Sequence, residues 1–437
     1  VTSDRRRASW LGLYVVLVIA LPGLALAADQ STTPRSWTDG VSRALAFEAF
    51  VILLVQFAMV SRLRPVSLAF GSDALTRLHR NLALLAFAFL VAHPLLLAAG
   101  RDWHAWSPIQ ASSGLAAGAA AFWATVVIIA TSLWRSRFRL SYEAWQIVHL
   151  AAACLLIGAA LAHALLLGRA SQSPAVRMAL VAYAALFVIL LIRYRLIRPL
   201  ILARRPWTVV TNTDAGGDTR LLRLRPDGHA GFDFQPGQFA WLATAGHPLR
   251  SGQHPLSMAS SDRRRDDGSI EFAIKGLGDW SRTVVPALRP GQRVYVDGPF
   301  GAFTPDLERE DPLVLIAGGI GIAPIRAMLL ALRDRQDQRR IVLFYAAADR
   351  SRVICREDIE TLARVLNLDL VYVFERPGDD WAGERGYVTA DMLRRHLPGG
   401  AECFVCGPVP MMDRVERMLL GLGVAPSRIH AERYQMV

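Results

Sequence analysis

The chain has 437 residues, 53% hydrophobic and 20% charged, with a formal net charge of +12 and a mean hydropathy of +0.28. At roughly 100–200 residues per domain this leaves room for two to four domains, in a chain too apolar for one soluble domain and too charged for a bare membrane bundle. Residues 1–200 carry 18 arginines against 7 acidic residues, whereas residues 201–437 hold 31 basic and 30 acidic ones, so the basic excess lies in the apolar half and argues against a nucleic-acid binder.

Six apolar stretches, at about 10–28, 42–60, 76–98, 114–134, 144–167 and 176–197, are long enough to cross a hydrocarbon core of about 30 Å. Arginines cluster before the first stretch (Arg5, Arg6, Arg7), around the second and in the fourth connection, and after the sixth stretch (Arg193, Arg195, Arg198, Arg204, Arg205). The positive-inside rule then predicts a multi-pass protein of the inner, cytoplasmic membrane, with the N-terminus and everything after residue 200 in the cytoplasm. The first stretch ends Ala25-Leu26-Ala27-Ala28 behind basic residues, as a cleavable signal does, but its apolar run is long for one and it is read as a span. Arg193, Arg195 and Arg198 are too irregularly spaced for a voltage sensor and read as membrane anchoring.

Four of the ten histidines fall inside these spans: His79 and His93 in the third, His149 and His163 in the fifth. Each pair is 14 residues apart, which turns a helix through about 1400°, 40° short of whole turns, over a rise of about 21 Å. Both spans run the same way, so His79 shares a depth with His149 and His93 with His163. Two imidazole pairs at two depths suit two six-coordinate haems. A lone intramembrane histidine reads as a hydrogen-bonded packing residue; a proton relay does not need the duplication, and zinc wants its ligands at one depth. Pro94 is expected to kink the third span, and Arg80 and Arg101 stand near its two ends, where haem propionates would be.

From Trp207 the pattern changes to short alternating segments with Gly/Pro turns, the signature of antiparallel strands. Candidate strands are Arg220–Arg225, Gln238–Thr244, Ser269–Ile274 and Arg293–Asp297, and the stretch to about residue 308 reads as a small β-barrel. It contains His254-Pro255-Leu256-Ser257 and Lys275-Gly276-Leu277-Gly278-Asp279-Trp280-Ser281. After Asp311 strands alternate with helices: Leu313–Ala317 runs into Gly318-Gly319-Ile320-Gly321-Ile322-Ala323-Pro324 and a helix to about Arg333, and Ile341–Ala346, Leu368–Phe374 and Cys403–Val405 continue a parallel α/β domain. A glycine turn between the first strand and helix lets a phosphate approach the backbone at the helix N-terminus. The expected architecture is therefore a six-helix transmembrane haem bundle (1–200), a small antiparallel β-barrel domain (201–308) and a parallel α/β nucleotide-binding domain (309–437). Cys154, Cys355, Cys403 and Cys406 match neither a secreted disulfide framework nor an iron–sulfur spacing.

In this order the motifs of the second half resemble the ferredoxin–NADP⁺ reductase superfamily. With the four-histidine bundle in front of them, roughly residues 42–437 are similar to bacterial members of the ferric reductase and NADPH oxidase family. The resemblance implies FAD, two b-type haems and NADPH or NADH as cofactors, with His79, His149, His93 and His163 as haem-iron ligands. It implies that His254, Pro255 and Ser257 hold the flavin and that Gly278 and Ser281 close over its phosphates. Gly318, Gly319, Gly321 and Pro324 match the pyridine-nucleotide loop, and Cys406-Gly407-Pro408 matches the motif beside the nicotinamide. Cys403 and Cys406 form a C-x-x-C, but in a strand leading into Cys-Gly-Pro a redox dithiol is the weaker reading. Arg350, Ser351 and Arg356 follow the second strand, where family members can bind the 2′-phosphate of NADPH; Asp349 would suit the ribose of NADH, and NADPH is preferred. Family members often end in an aromatic residue over the flavin, a place that Tyr434 would take.

The expected activity is electron transfer from cytoplasmic NAD(P)H through FAD and two haems to an acceptor outside, with no general acid or base. Six-coordinate outer iron would favour outer-sphere transfer. Dioxygen, giving superoxide, competes with a ferric chelate as acceptor, and the short outer connections (28–41, 99–113, 168–175) favour a small one. The alternative is an electron-transfer partner that reduces a quinone or a periplasmic protein. The oligomeric state is not legible.

Overall fold

In the computed structural model, which describes residues 2–27, 37–99, 112–167, 173–244, 252–263 and 265–433, six helices are long and apolar enough to cross a membrane: Arg7–Leu24, Trp37–Val60, Asp73–Ala98, Ser113–Leu133, Tyr142–Leu167 and Pro174–Ala203. They coincide with the six expected stretches to within a few residues, except that the last runs on to Ala203. The first helix changes to a π turn over Val16–Ala20, just before Pro22, where proline supplies no N–H to the helical ladder. The third helix, Ser72–Ala98, runs unbroken through Pro94. A short helix, Arg64–Phe70, precedes it and was not expected, because one two-turn segment shows too little periodicity to read.

The chain divides into two units, residues 1–69 with 74–197, and residues 70–73 with 198–437. Within the first unit the second span is the most enclosed, with Phe47, Val51 and Leu54 buried, and it packs with Leu180, Tyr183 and Phe187 of the sixth. The fourth and fifth spans touch closely because the fourth carries Gly114 and Gly118, a small-xxx-small pair: a Cβ on Gly114 would fall 2.4 Å from Leu167, and one on Gly118 2.6 Å from the His163 ring.

The second unit opens with an antiparallel sheet. Its strands are β1 (Pro206–Asp214), β2 (Thr219–Pro226), β3 (Phe239–Ala243), β4 (His254–Ser257), β5 (Ile270–Lys275) and β6 (Arg293–Phe300), in the order β4-β3-β6-β1-β2-β5. Alternation turns Trp207, Val209, Leu222 and Leu224 inward onto Leu242, Met258 and Phe272. A bridge between Met258 and Phe272 joins the two edges and closes the barrel. The short helix Arg198–Ala203 leads into β1, and its Arg198 grips Asp297 of β6 through Nε at 2.9 Å and Nη2 at 2.5 Å, with the guanidinium over the Phe300 ring.

A six-stranded parallel sheet follows: β7 (Leu313–Gly318), β8 (Ile341–Ala347), β9 (Leu368–Phe374), β10 (Glu384–Arg385), β11 (Glu402–Cys406) and β12 (Ile429–Ala431), ordered β10-β9-β8-β7-β11-β12. Every neighbouring pair in it is parallel, and helices bury both faces, so β7 and β8 read as continuous apolar runs. β10 and β12 escaped the sequence reading because two or three residues carry no measurable period. The strand order reverses between β7 and β11, the switch point at which open α/β sheets bind ligands beyond the strand C-termini.

Candidate functional site

Helix register brings the four intramembrane histidines together as two pairs. The ring centres of His79 and His149 lie 6.4 Å apart with a 45° angle between planes, and those of His93 and His163 lie 6.3 Å apart at 81°. Two metal–imidazole bonds of about 2 Å each, with roughly 1 Å from each ring centre to its nitrogen, put coordinated rings about 6 Å apart. Each pair of ring centres therefore has the separation that two imidazoles on one iron would have.

On three of the four rings the other nitrogen is taken up by a neighbouring span. His163 Nδ1 lies 2.8 Å from the Gly114 carbonyl, which can only accept, so Nδ1 carries the hydrogen and Nε2 keeps a lone pair. Ser42 donates its hydroxyl to the His93 carbonyl at 2.8 Å and accepts from His93 Nδ1 at 2.8 Å, which selects the same tautomer. His149 Nδ1 is 3.3 Å from Ser132 Oγ, which also accepts the Trp145 indole N–H at 3.3 Å. Such outer-shell partners orient ligating imidazoles and raise their donor strength. Ser42, Gly114 and Ser132 were missed in the sequence, since serines and glycines are common in spans and their significance depends on which helix they face. Arg80 is exposed, and Arg101 lies outside the described residues.

In the barrel, the segment expected to hold the flavin forms β4, which pairs with β3 and runs into the Met258 bridge to β5. His254 stacks on Trp280 with ring centres 3.8 Å apart and planes 17° from parallel, and the Trp280 N–H is fixed on Thr244 Oγ1 at 2.9 Å. Pro255 stands opposite Trp241 and the buried Ser257 opposite Phe239. Gly278 is exposed, and a Cβ on it would meet nothing within 4 Å. The Ser281 hydroxyl accepts from the Leu277 N–H at 2.9 Å and the Gly278 N–H at 3.0 Å and donates to the Gly278 carbonyl at 3.0 Å, which shapes this turn.

At the switch point the two expected nucleotide motifs touch. The Cβ that Gly321 lacks would lie 2.1 Å from the Cys406 carbonyl oxygen, and the one that Gly318 lacks would lie 2.7 Å from Met411 Sδ and 2.8 Å from Pro408. Gly407 comes equally close to Gly318. Gly319 holds a φ of +53° and opens the short turn before the helix Ile322–Asp334, in which Pro324 occupies the first turn. The turn thus places backbone amides at a helix N-terminus, the arrangement to which a phosphate can bind. Cys406 is buried, and its thiol is pushed far above its ordinary range by that burial and by Glu432. Cys403 and Cys406 pack into cores on opposite faces of the sheet, which rules them out as a dithiol pair. Past β8, Ser351 donates to Asp349 through both N–H (2.8 Å) and hydroxyl (2.5 Å), so this carboxylate caps a turn. Arg350 stands exposed on that turn, and Arg356 pairs with Glu360 at 3.4 Å. Tyr434 lies outside the described residues.

A buried ion cluster between barrel and α/β domain was also missed. Arg326 bonds Glu271 Oε2 at 3.0 Å, Asp358 Oδ2 at 2.5 Å and the Ala259 carbonyl at 2.5 Å. Burial opposes its charge, but the carboxylates of Glu271 and Asp358 more than offset that and hold the guanidinium above its ordinary range.

Residues 45–160 match the family model described as the ferric reductase like transmembrane component, and residues 315–417 match the oxidoreductase NAD-binding domain. The reductase component of phenol 2-monooxygenase from Pseudomonas sp. is 31% identical over 46% of this chain and 58% of its own length. The flavohemoprotein of Bordetella pertussis is 32% identical over 52% and 60%. The chain thus spans about 60% of the length of these curated relatives. A crystal structure of flavohemoglobin from Malassezia yamatoensis with bound FAD and heme covers 94% of this chain and 98% of its own at 19% identity and a TM-score of 0.51, a likeness of fold alone.

Proposed function

Because the chain joins a ferric reductase-like transmembrane domain to a ferredoxin–NADP⁺ reductase-type module that binds FAD and NAD(P)H, we propose that this oxidoreductase moves electrons from cytoplasmic NAD(P)H across the membrane to dioxygen outside, forming superoxide. The observation that carries the reading is the matched pair of imidazole separations, 6.4 and 6.3 Å, in one bundle. When bound, FAD turns a hydride into single electrons and two b-type haem irons pass them on one at a time. His79 with His149 would hold the inner iron and His93 with His163 the outer, each imidazole presenting Nε2, with Nδ1 held from behind on His93, His149 and His163.

In the second unit the stacked His254 and Trp280 would border the flavin, with the exposed Gly278 turn near its phosphates. Gly318, Gly319 and Gly321 would admit the nucleotide pyrophosphate, and the tight seat of Cys406-Gly407-Pro408 against them would set where the nicotinamide stops. Arg350, exposed and at the end of β8, supports recognition of a 2′-phosphate and hence NADPH. The arginine distribution supports a cytoplasmic second unit in an inner-membrane protein. The ferric-chelate reading shares every step but the last.

Purified protein given FAD and NADPH should show a low-spin b-type spectrum at two haems per chain that reduces on adding nucleotide. Superoxide dismutase-sensitive reduction of a probe in air is expected, faster than anaerobic reduction of ferric citrate. No haem, or a five-coordinate high-spin spectrum, overturns the reading; faster ferric citrate reduction replaces the acceptor.

A further inference from the structure

The contacts behind the histidines repeat from one helix pair to the next. In the second span Ser42 and Gln56 are 14 residues apart, the spacing of His79 and His93; in the fourth, Gly118 and Ser132 are 14 apart, the spacing of His149 and His163. Antiparallel helices in register match equal spacings: Ser42 lies against His93, Gly118 against His163 and Ser132 against His149. The fourth position in this frame sets Gln56 beside His79.

That position differs from the others. The Gln56 backbone carbonyl lies near the His79 ring without closing a hydrogen bond on it, and among the described residues neither His79 Nδ1 nor Gln56 Oε1, both buried, has a hydrogen-bond partner. Gln56 is only 6% exposed, so neither lipid nor water accounts for its amide. One orphan is a donor once Nε2 is coordinated, since a neutral imidazole ligating through Nε2 carries its hydrogen on Nδ1. The other is an acceptor. Two buried polar atoms that each lack what the other supplies, on adjacent helices in a register that pairs the remaining three, satisfy each other through a side-chain torsion.

We infer that Gln56 is the positioning residue of the inner-haem ligand His79, its amide oxygen accepting the Nδ1–H when the imidazole is coordinated. This rests on the haem reading above. Accepting that hydrogen bond raises the donor strength of the imidazole and favours ferric over ferrous iron. Gln56 therefore tunes the inner site as Ser42 tunes the outer one.

The test uses the full chain in a His93→Ala background, where one haem remains, held by His79 and His149. Gln56→Leu, close in size and without an acceptor, should shift the ferric/ferrous equilibrium roughly tenfold toward ferrous, about 59 mV upward for a one-electron couple. Gln56→Glu keeps an acceptor oxygen and should move the potential down instead. Ser42→Ala in the unmodified chain should move the other haem and leave this one. A haem whose potential is the same in wild type, Gln56→Leu and Gln56→Glu overturns the inference while leaving the haem reading intact; a wild-type chain without haem sinks the reading itself. If Gln56→Leu does not fold, the wild type against Gln56→Glu comparison decides alone.

Discussion

The carbonyl oxygen of Cys406 occupies the space, 2.1 Å away, that a Cβ on Gly321 would need. The two ends of the strands that flank the sheet's switch point are thus locked together by a missing methyl group. Gly321→Ala must push the Cys406-Gly407-Pro408 loop off the glycine turn. It should cut flavin reduction by NAD(P)H at least tenfold in stopped-flow measurements, with the haem spectrum unchanged, because the altered contact lies wholly in the α/β domain.

Gly118 plays a comparable part in the bundle. Its Cβ would lie 2.6 Å from His163 Nδ1, so Gly118→Ala displaces the ring and breaks its bond to the Gly114 carbonyl. Haem content by pyridine haemochromogen should fall from two per chain toward one, as for His163→Ala. Retention of two haems with an unshifted spectrum would contradict the proposed ligand.

Arg326 is expected to be a stability residue more than a redox one. Arg326→Met strips buried Glu271 of one of its two arginine partners and leaves Arg265 at 2.8 Å, so the cost should fall below the roughly 3–5 kcal/mol of breaking a buried ion pair outright. Thermal release of FAD, followed by flavin fluorescence, should begin several degrees lower. The double variant Arg326→Met/Glu271→Gln should recover part of the loss.

Arg350 decides the nucleotide in the proposed reading. Arg350→Ala should raise the KM for NADPH by tenfold or more and leave that for NADH within about twofold. An equal effect on both would assign the residue to general phosphate attraction, and no effect would make it solvated surface.

The buried thiols set an alkaline limit. Burial pushes Cys355 up to about 11 and, with Glu402 adding to it, Cys403 up to about 12. An unfolded thiol titrates near 8.5. The unfolded chain therefore releases these protons first, so their contribution to stability is complete below about pH 8.5 and declines as pH rises toward 11 and 12. Stability should fall over that window, less steeply in Cys355→Ala. At pH 8 iodoacetamide should label none of Cys355, Cys403 and Cys406 in the native chain.

Much of this molecule is local in origin, and what is local is readable. The six spans, the arginine collars and the 14-residue spacing of His79–His93 and His149–His163 need only hydropathy, charge and 3.6 residues per turn. The alternation in β1 and β2 and the glycine run after β7 likewise follow from neighbours in sequence. The short elements, Arg64–Phe70, β10 and β12, did not emerge, because each is stabilised by what it packs on and not by its own period. Nor did the partners of the site: Ser42 and His93 are 51 residues apart, Gly114 and His163 49 apart, and Arg326 and Glu271 55 apart. Their meeting depends on which faces helices and sheets turn to one another, a choice made by the summed packing of a whole unit. The sequence alone singled out the residues expected at iron, flavin and nucleotide; tertiary structure decided which groups stand against them, because a hydrogen bond needs its two atoms within about 3 Å and only a folded register supplies that.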